Sequence, residues 1–363
     1  MSFSPEPPYT HGRREHCAIL LLNLGTPEAP TAAALRRYLA QFLWDPRVVE
    51  IPRPLWWLIL NGVILRLRPA KSAAKYAAIW TDAGSPLLTW TLRQADLLQA
   101  TLQARGHAVS VRPAMRYGQP AIDSTLDALR AAGATRVLVL PLYPQFAAAT
   151  TASSIDAVAT WAQRCRRVPE LRFINHYHDD PGYIAALAAS VREHWVQHGR
   201  GERLVMSFHG VPARSLALGD PYHCECHKTA RLLASALGLP REGYVVTFQS
   251  RLGRAKWLEP YTEPTVKQLA ADGIRHIDAI CPGFAADNLE TLEEIAMEAR
   301  DAFIAAGGQR FNFVPCLNDR PDWISALGDL AERHLQGWPT RPAADADLLQ
   351  AQRERALALG AAD

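Results

Sequence analysis

The sequence lacks the segments that would mark it as secreted or membrane-spanning. Six cysteines among 363 residues are too few for a disulfide scaffold. Residues 1–16 are polar and contain no apolar core, which argues against a signal peptide. The longest nearly apolar run covers the 11 residues from Leu55 to Leu65, whereas a membrane span needs about 20. We therefore predict a cytoplasmic protein in which one surface could still contact a membrane.

Phosphate-binding and nucleophile motifs are also missing. No GxGxxG follows an early strand, and neither GxxxxGK[ST] nor GxSxG occurs. These absences argue against a nucleotide-dependent oxidoreductase, a nucleotide hydrolase and a serine hydrolase. The formal net charge of +3 gives no field that would recruit nucleic acid. We expect neither a nucleotide nor a nucleic-acid partner.

What the sequence does contain is an alternation of short apolar runs with helical patterns. The runs predict eight strands, at 18–24, 108–113, 136–142, 171–176, 203–209, 244–249, 276–280 and 311–315. Several are almost wholly apolar, as is typical of parallel strands covered on both faces. Helical patterns such as 122–134 and 183–199 lie between them. The pattern predicts an α/β fold of two halves, each with a four-stranded parallel sheet flanked by helices.

Two short markers recur in the same order in both predicted halves. NLGTP (23–27) matches FHGVP (208–212), and YPQFAAA (143–149) matches CPGFAAD (281–287). The markers lie 47 positions further apart in the first half than in the second, which indicates an insertion after the first strand, although coincidence remains an alternative. Ligands of open α/β sheets bind beyond the carboxyl ends of strands. The predicted organisation is a disordered tail (1–16), a first half (17–180) with an apolar insertion at about 40–90, a second half (181–336) and a C-terminal tail (337–363).

The inserted stretch is rich in tryptophan. Five of the ten tryptophans fall within it: Trp44, Trp56, Trp57, Trp80 and Trp90. Its LWWLIL core is flanked by the cations Arg47, Arg53, Arg66, Arg68 and Lys71. An apolar patch rimmed by cations is typical of a membrane interface or a site for a large flat anion, with a buried helix hairpin as the alternative. Since neighbours on a helix point about 100° apart, we do not expect both Trp56 and Trp57 to be fully buried.

His209 is the leading candidate for acid–base or metal chemistry. It closes a predicted strand, and Gly210 and Pro212 end that strand sharply. An imidazole at the carboxyl edge of a sheet can serve as a base or as a metal ligand. A core histidine bonded to a main-chain carbonyl is the alternative.

A row of carboxylates follows in the second half. Residues 285–303 predict a helix with Asp287 near its N-cap. Glu290, Glu294 and Glu298 are four residues apart and would share one α-helical face. Like charges at this spacing repel unless cations such as a divalent metal neutralise them. A solvated acidic face is the alternative.

A third candidate is the sequence YHCECHKTA (222–230). Cys224 and Cys226 with their flanking histidines could bind a soft metal. No CxxC accompanies them, so we interpret the stretch as an exposed or redox-neutral loop.

Taken together, the motifs resemble one known family. In order they are NLGTPEAP, YLAQFLWDPRVVEIP, RPAKSAAKYAAIW, GSPL, MRYGQP, LPLYPQF, SFHGVP, GDPY, TFQSRLGRAKWLEPYT and CPGFAADNLETLEEI. They follow one another over residues 17–325 as they do in ferrochelatases, and the tryptophan-containing insertion is similar to the proteobacterial branch that uses protoporphyrin. The resemblance implies two Rossmann-like domains of the class I chelatase type with a porphyrin cleft between them.

The resemblance also implies an activity and a set of site residues. The activity is insertion of ferrous iron into protoporphyrin IX to form protohaem, the last step of haem biosynthesis. His209 and Glu290 match the family's catalytic pair, which is treated as binding iron, and Glu294 and Glu298 match a row proposed to deliver metal. Four further residues match the lining of the macrocycle pocket: Arg116, Tyr117, Tyr143 and Trp257.

Two differences from relatives shape the cofactor expectation. Many relatives have histidine where this chain has Asn288. No cysteine follows Cys316, so a [2Fe–2S] cluster that uses C-terminal cysteines is not expected, and neither is any other tightly bound cofactor. An internal cluster on Cys224 and Cys226 is the alternative left open. The alternatives left open are a chelatase acting on a corrin-type precursor and a non-enzymatic porphyrin or haem carrier. Peripheral contact with the inner membrane is a further expectation.

Overall fold

Two parallel four-stranded sheets organise the chain in a computed structural model that describes residues 3–251, 253, 255–341 and 346–362. The strand order is β2-β1-β3-β4 in the first sheet and β6-β5-β7-β8 in the second. The strands are β1 (His16–Gly25), β2 (Val109–Tyr117), β3 (Ala134–Pro141), β4 (Glu170–Phe173), β5 (Arg203–His209), β6 (Tyr244–Gln249), β7 (His276–Ile280) and β8 (Arg310–Val314). All eight predicted strands and the predicted fold class are confirmed, and the equal strand orders agree with the internal match between the halves.

Helices connect the strands and cover both faces of each sheet. Three segments are π-helical, at Leu60–Ile64, Ala148–Ala152 and Glu290–Ala299. The α-helices are α1 (Ala32–Trp44), α2 (Arg53–Ile59), α3 (Leu65–Ile79), α4 (Pro86–Ala104), α5 (Ile122–Ala131), α6 (Ser153–Ala162), α7 (Pro181–His198), α8 (Arg214–Ala217), α9 (Tyr222–Leu237), α10 (Thr262–Ala271), α11 (Arg300–Ala305), α12 (Pro321–Leu335) and α13 (Ala346–Ala358). Among the described residues, no helix combines the length and apolarity needed to cross a bilayer.

The two faces of β1 belong to different cores because successive side chains of a strand alternate in direction. Ala18, Leu20 and Leu22 pack with residues of α5 and α6 in a core confined to the first half. Ile19 and Leu21 belong instead to a larger core that includes residues of α4, α7, α9, α12 and the second sheet. The inner faces of both sheets therefore share one apolar core, which holds the halves together.

The connection from β1 to β2 carries the insertion. It spans 83 residues (26–108), whereas the equivalent connection from β5 to β6 spans 34 (210–243). The longer connection contains α1 to α4, while the shorter one contains α8 and α9. The extra helices thus lie after the first strand, where the internal match places them.

Both predicted tails have structure in the described residues. Ser4 N donates to Arg164 O at 2.8 Å, and Glu6 accepts hydrogen bonds from the main chain of Arg166 and Arg167. These contacts tie the stretch before β1, predicted as disordered, to the first half. The C-terminal stretch contains α13. The predicted domain boundaries at 180 and 336 stay predictions.

Candidate active site

The carboxyl edges of the two sheets meet through the loop that follows β3. Gln145 Nε2 donates to Thr229 Oγ1 at 3.0 Å, and Phe146 N donates to Glu225 Oε2 at 2.7 Å. Thr229 and Glu225 lie on α9, which follows β5. Since ligand sites of α/β sheets lie at such edges, this contact locates the site between the halves.

His209 ends β5 with one ring nitrogen already bonded. Its Nδ1 lies 2.6 Å from the carbonyl oxygen of Gly210, and its ring is half-buried. A carbonyl can only accept, so Nδ1 donates, and in the neutral ring Nε2 carries the lone pair. A Cβ at Gly210 would lie 2.6 Å from Gln249 O, so glycine is needed for this close approach of β6. The ring is fixed in one tautomer with an acceptor nitrogen left for chemistry.

Gln249 joins the strand beside His209 to the acidic helix. It pairs with His209 in the sheet register, and its Nε2 donates to Glu290 O at 2.7 Å and to Glu294 Oε2 at 3.1 Å. Its Oε1 accepts a hydrogen bond from Ser207 at 2.8 Å. The sequence argument missed Gln249 because a glutamine within an apolar strand carries no motif.

The acidic helix, predicted over 285–303, begins at Leu289, and Asn288 is its N-cap. Asn288 Oδ1 accepts from Thr291 N at 3.1 Å, and Thr291 Oγ1 accepts from Asn288 N at 3.0 Å, a reciprocal capping arrangement. Asp287 lies next to the cap residue, as predicted, and accepts from Thr291 Oγ1 at 3.0 Å and from Asn318 Nδ2 at 2.7 Å. The capping role gives Asn288 a structural function.

The segment Glu290–Ala299 is π-helical, and this changes which carboxylates come together. Its hydrogen bonds run from i to i+5, so side chains five apart approach one another. Glu293 and Glu298 both accept from Lys75 Nζ at 2.9 Å. The expected α-helical row is therefore corrected: Glu298 shares a lysine with Glu293, while Glu290 and Glu294 interact with each other. Periodicity assigned as α-helical could not show this pairing.

The surroundings of Glu290 favour the protonated form of its carboxyl group. Burial, followed by the nearby charge of Glu294, raises the pKa of Glu290 from 4.5 to about 7. The preceding Leu289 packs on a cluster that contains Tyr38 and Tyr76, from α1 and α3. The inserted helices thus form an apolar wall beside a carboxyl group that can exchange protons near neutral pH.

Glu294 is held by a residue with unusual backbone geometry. Ser250 has a φ of 66° and its Oγ donates to Glu294 Oε2. A left-handed conformation in a non-glycine residue costs roughly 1–3 kcal/mol and persists only where the surroundings enforce it. The strain sits directly beside the carboxylate pair.

Arg116 and Tyr117 converge on Asp45, which the sequence argument missed. Asp45 Oδ2 accepts three hydrogen bonds: from Arg116 Nη2 at 2.5 Å, from Tyr117 Oη at 2.8 Å and from Ser153 Oγ. Burial raises the pKa of Asp45, but hydrogen bonds led by that from Ser153 outweigh it, and the pKa is lowered. Tyr117 is only 2% exposed. The guanidinium of Arg116 lies over its ring, 4.6 Å from the centroid. The pocket-lining role that the resemblance implied for Tyr117 stays a prediction.

Tyr143 and Trp257 each offer a polar group with no protein partner. Both side chains are half-buried, and neither Tyr143 Oη nor Trp257 Nε1 has a hydrogen-bond partner among the described residues. The Trp257 ring centroid lies 6.5 Å from that of His209. Buried donors are normally satisfied, so these two groups are suited to a ligand.

The tryptophan pair of α2 divides between core and surface. Trp56 is 6% exposed and its Nε1 donates to Leu43 O, whereas Trp57 is 54% exposed. This confirms the expectation that Trp56 and Trp57 are not both fully buried. Four further apolar side chains in the stretch 55–67 are exposed: Leu55, Leu58, Val63 and Leu67. We call Trp57 and these four residues the lip.

The CxC stretch is helical, so its interpretation as a loop is wrong. Cys224 and Cys226 lie in the first turns of α9. Cys224 is exposed and Cys226 is buried. Residues two apart on a helix point to different sides, which separates the two thiols.

The two facing parallel sheets, with an imidazole and paired carboxylates at their edges, have the fold of a chelatase. Solved structures of SirB from Bacillus subtilis, one with Fe3+ and one described as a sirohydrochlorin chelatase with cobalt, superpose with TM-scores of 0.53 and 0.51. They share 14% and 12% identity and cover 88% and 90% of this chain, and 95% and 98% of theirs. At this identity the likeness establishes the fold.

Sequence comparison identifies the family. The Ferrochelatase family model matches residues 16–335. A ferrochelatase of Methylibium petroleiphilum is 67% identical, covering 99% of both chains, and one of a Polaromonas species is 64% identical, covering 99% of this chain and all of its own. The chain belongs to the ferrochelatase family. It is an enzyme of haem biosynthesis that inserts iron into protoporphyrin.

Proposed function

We propose that His209 and Glu290 perform this insertion, with His209 Nε2 accepting a pyrrole proton and Glu290 binding the incoming ferrous ion. The observation that carries the proposal is the fixed tautomer of His209, whose Nδ1 is bonded to Gly210 O at 2.6 Å. An imidazole whose second ring nitrogen carries a free lone pair can accept a proton as a general base.

The chemistry requires two protons to leave and one divalent cation to enter. Free protoporphyrin carries two pyrrole N–H groups in a stiff ring, and a site that favours a bent ring exposes the nitrogen lone pairs. Glu290 and Glu294 lie close enough for their charges to interact, so they suit a divalent substrate ion. A carboxyl group with a pKa of about 7 can also take up a proton once the iron has moved on. Glu298 would bind the metal only after its carboxylate separates from Lys75 Nζ.

The remaining predicted residues would hold the macrocycle. Trp257 and Tyr143 present unpartnered donors beside the site, and Arg116 is kept in place by Asp45 and Tyr117. The lip would contact the apolar edge of the porphyrin, and its outer side would rest on the inner membrane as a peripheral contact. We propose that the reaction uses no resident cofactor and no [2Fe–2S] cluster. Iron is a substrate in this scheme.

His209→Ala tests the assignment. Anaerobic incubation with Fe2+ and protoporphyrin, followed by loss of free-porphyrin fluorescence, should show kcat reduced by at least about 10²-fold. Quenching of tryptophan fluorescence by porphyrin should persist, since the lip is unchanged. His227→Asn, an exposed histidine on α9, is the matched control and should keep its activity. Full turnover in His209→Ala would refute the proposal, and wild-type binding without turnover would favour a carrier.

A further inference from the structure

A second cluster of metal-ligating groups lies outside the site at His209 and Glu290. His176 and His178 follow β4 in the first half, and Glu225 lies in the first turn of α9 in the second. His176 Nδ1 is 2.6 Å from Glu225 Oε1, and His178 Nδ1 is 3.3 Å from Glu225 Oε2. The three ligand atoms all lie within 4.8 Å of one another.

The burial of this cluster leaves its carboxylate short of positive charge. Glu225 is 6% exposed, and its described contacts are Phe146 N and the two histidines. No lysine or arginine pairs with it among the described residues. A buried carboxylate is costly unless a cation or several hydrogen bonds compensate for the lost water.

His178 supplies an independent sign of a missing ligand. Its side chain is also 6% exposed, and Nδ1 has no hydrogen-bond partner among the described residues although it faces Glu225. Its Nε2 lies 4.0 Å from Asp179 Oδ2, and Asp179 is itself held by Lys228.

We propose that His176, His178 and Glu225 bind a divalent transition-metal ion of the Zn2+ or Fe2+ type, at a site separate from the catalytic one. Two imidazoles and one carboxylate are a donor set for such ions, with water completing the coordination. The 3.3 Å between His178 and Glu225 ligand atoms agrees with two ligands about 2.0–2.1 Å from one tetrahedral ion. His176, whose side chain is 51% exposed, has room to turn towards the ion.

Such an ion would join the two halves beside the macrocycle-binding residues. Glu225 also accepts from Phe146 N, and Tyr177 N donates to Pro144 O at 2.9 Å. Both contacts hold the loop that carries Tyr143. The ion would therefore stabilise this loop and the junction between α9 and the chain after β4.

The test uses the full chain with His209→Ala and Glu290→Gln, so that the catalytic ligands do not contribute, and no porphyrin is added. Titration with Co2+ should give one equivalent of binding with visible d–d absorption, and Zn2+ should displace it. Adding Glu225→Gln or His176→Asn should weaken binding by at least about tenfold. His227→Asn, on the same helix as Glu225, should leave the titration unchanged.

Two results would overturn the site: no stoichiometric Co2+ binding in the background variant, or equal binding after Glu225→Gln and His176→Asn. Circular dichroism of each variant checks folding. If Glu225→Gln does not fold, the more exposed His176→Asn decides the question. Since the readout is metal binding without turnover, its failure is separate from a failure of the catalytic assignment.

Discussion

The side-chain amide of Gln249 donates to the main-chain carbonyl of Glu290 over 2.7 Å. Gln249 is also the strand neighbour of His209. One residue thus sets the position of the first π-helical turn relative to the strand that carries the imidazole. His209 and Glu290, the proposed catalytic pair, lie 81 positions apart in the chain and are both held by this shared neighbour.

Replacing Glu290 with glutamine should change stability in a pH-dependent way. The native carboxyl titrates near pH 7 and the ordinary one near 4.5, so the folded chain binds more protons between these values and loses stability as pH rises through them. Glutamine removes this loss. The Tm of Glu290→Gln minus that of the wild type should therefore rise from pH 4.5 to about 7 and then level off. Glu298→Gln, in an exposed ion pair, is the control, and a Tm difference independent of pH would contradict the argument.

Lys75 and Glu298 should affect iron use in opposite directions. Lys75 Nζ lies 2.9 Å from carboxylate oxygens of Glu293 and Glu298 and competes with a divalent cation for them. Lys75→Met should lower the KM for Fe2+ several-fold, whereas Glu298→Gln should raise it, with little change in kcat for either. Steady-state assays at varied Fe2+ measure both. Changes of the same sign would indicate a structural role for the pair.

Substitutions of Trp56 and Trp57 should have different effects: the first should lower stability, and the second should weaken ligand or membrane binding. Trp56→Ala removes a buried ring and should cost about 3–5 kcal/mol of unfolding free energy. Trp57→Ala should change stability by less than about 0.5 kcal/mol but weaken porphyrin binding or partition onto anionic vesicles. Denaturant unfolding and vesicle sedimentation make the comparison. Equal destabilisation by both variants would remove the distinction between core and lip.

The strands were predictable because burial on both faces demands short, nearly continuous apolar runs such as 18–24. Helix geometry also predicted that Trp56 and Trp57 are not both fully buried, although it did not show which of them is exposed. The π-helical form of 290–299 could not be predicted, since α- and π-helices use the same residues and differ only in hydrogen-bond register. The Asn288 cap was missed because aspartate at the neighbouring position is an equally good cap on residue type alone.

Contacts between site residues from distant segments of the chain could not be predicted from the sequence. Lys75 and Glu293 are 218 positions apart, and Asp45 meets Arg116 across 71. Neither contact has a local signature, because each depends on how the inserted helices pack against the rest of the fold. His209 and Glu290 were accessible because strand ends and ordered motifs mark them.

Lys75 belongs to α3, within the insertion of the first half, while its two carboxylate partners lie on the second. Any movement of α3 that admits a large ligand must also alter the hold on Glu293 and Glu298. By thermodynamic reciprocity, a cation that occupies those carboxylates then changes the affinity for the ligand by the same factor. The binding free energies of the two substrates would then be coupled through this ion pair.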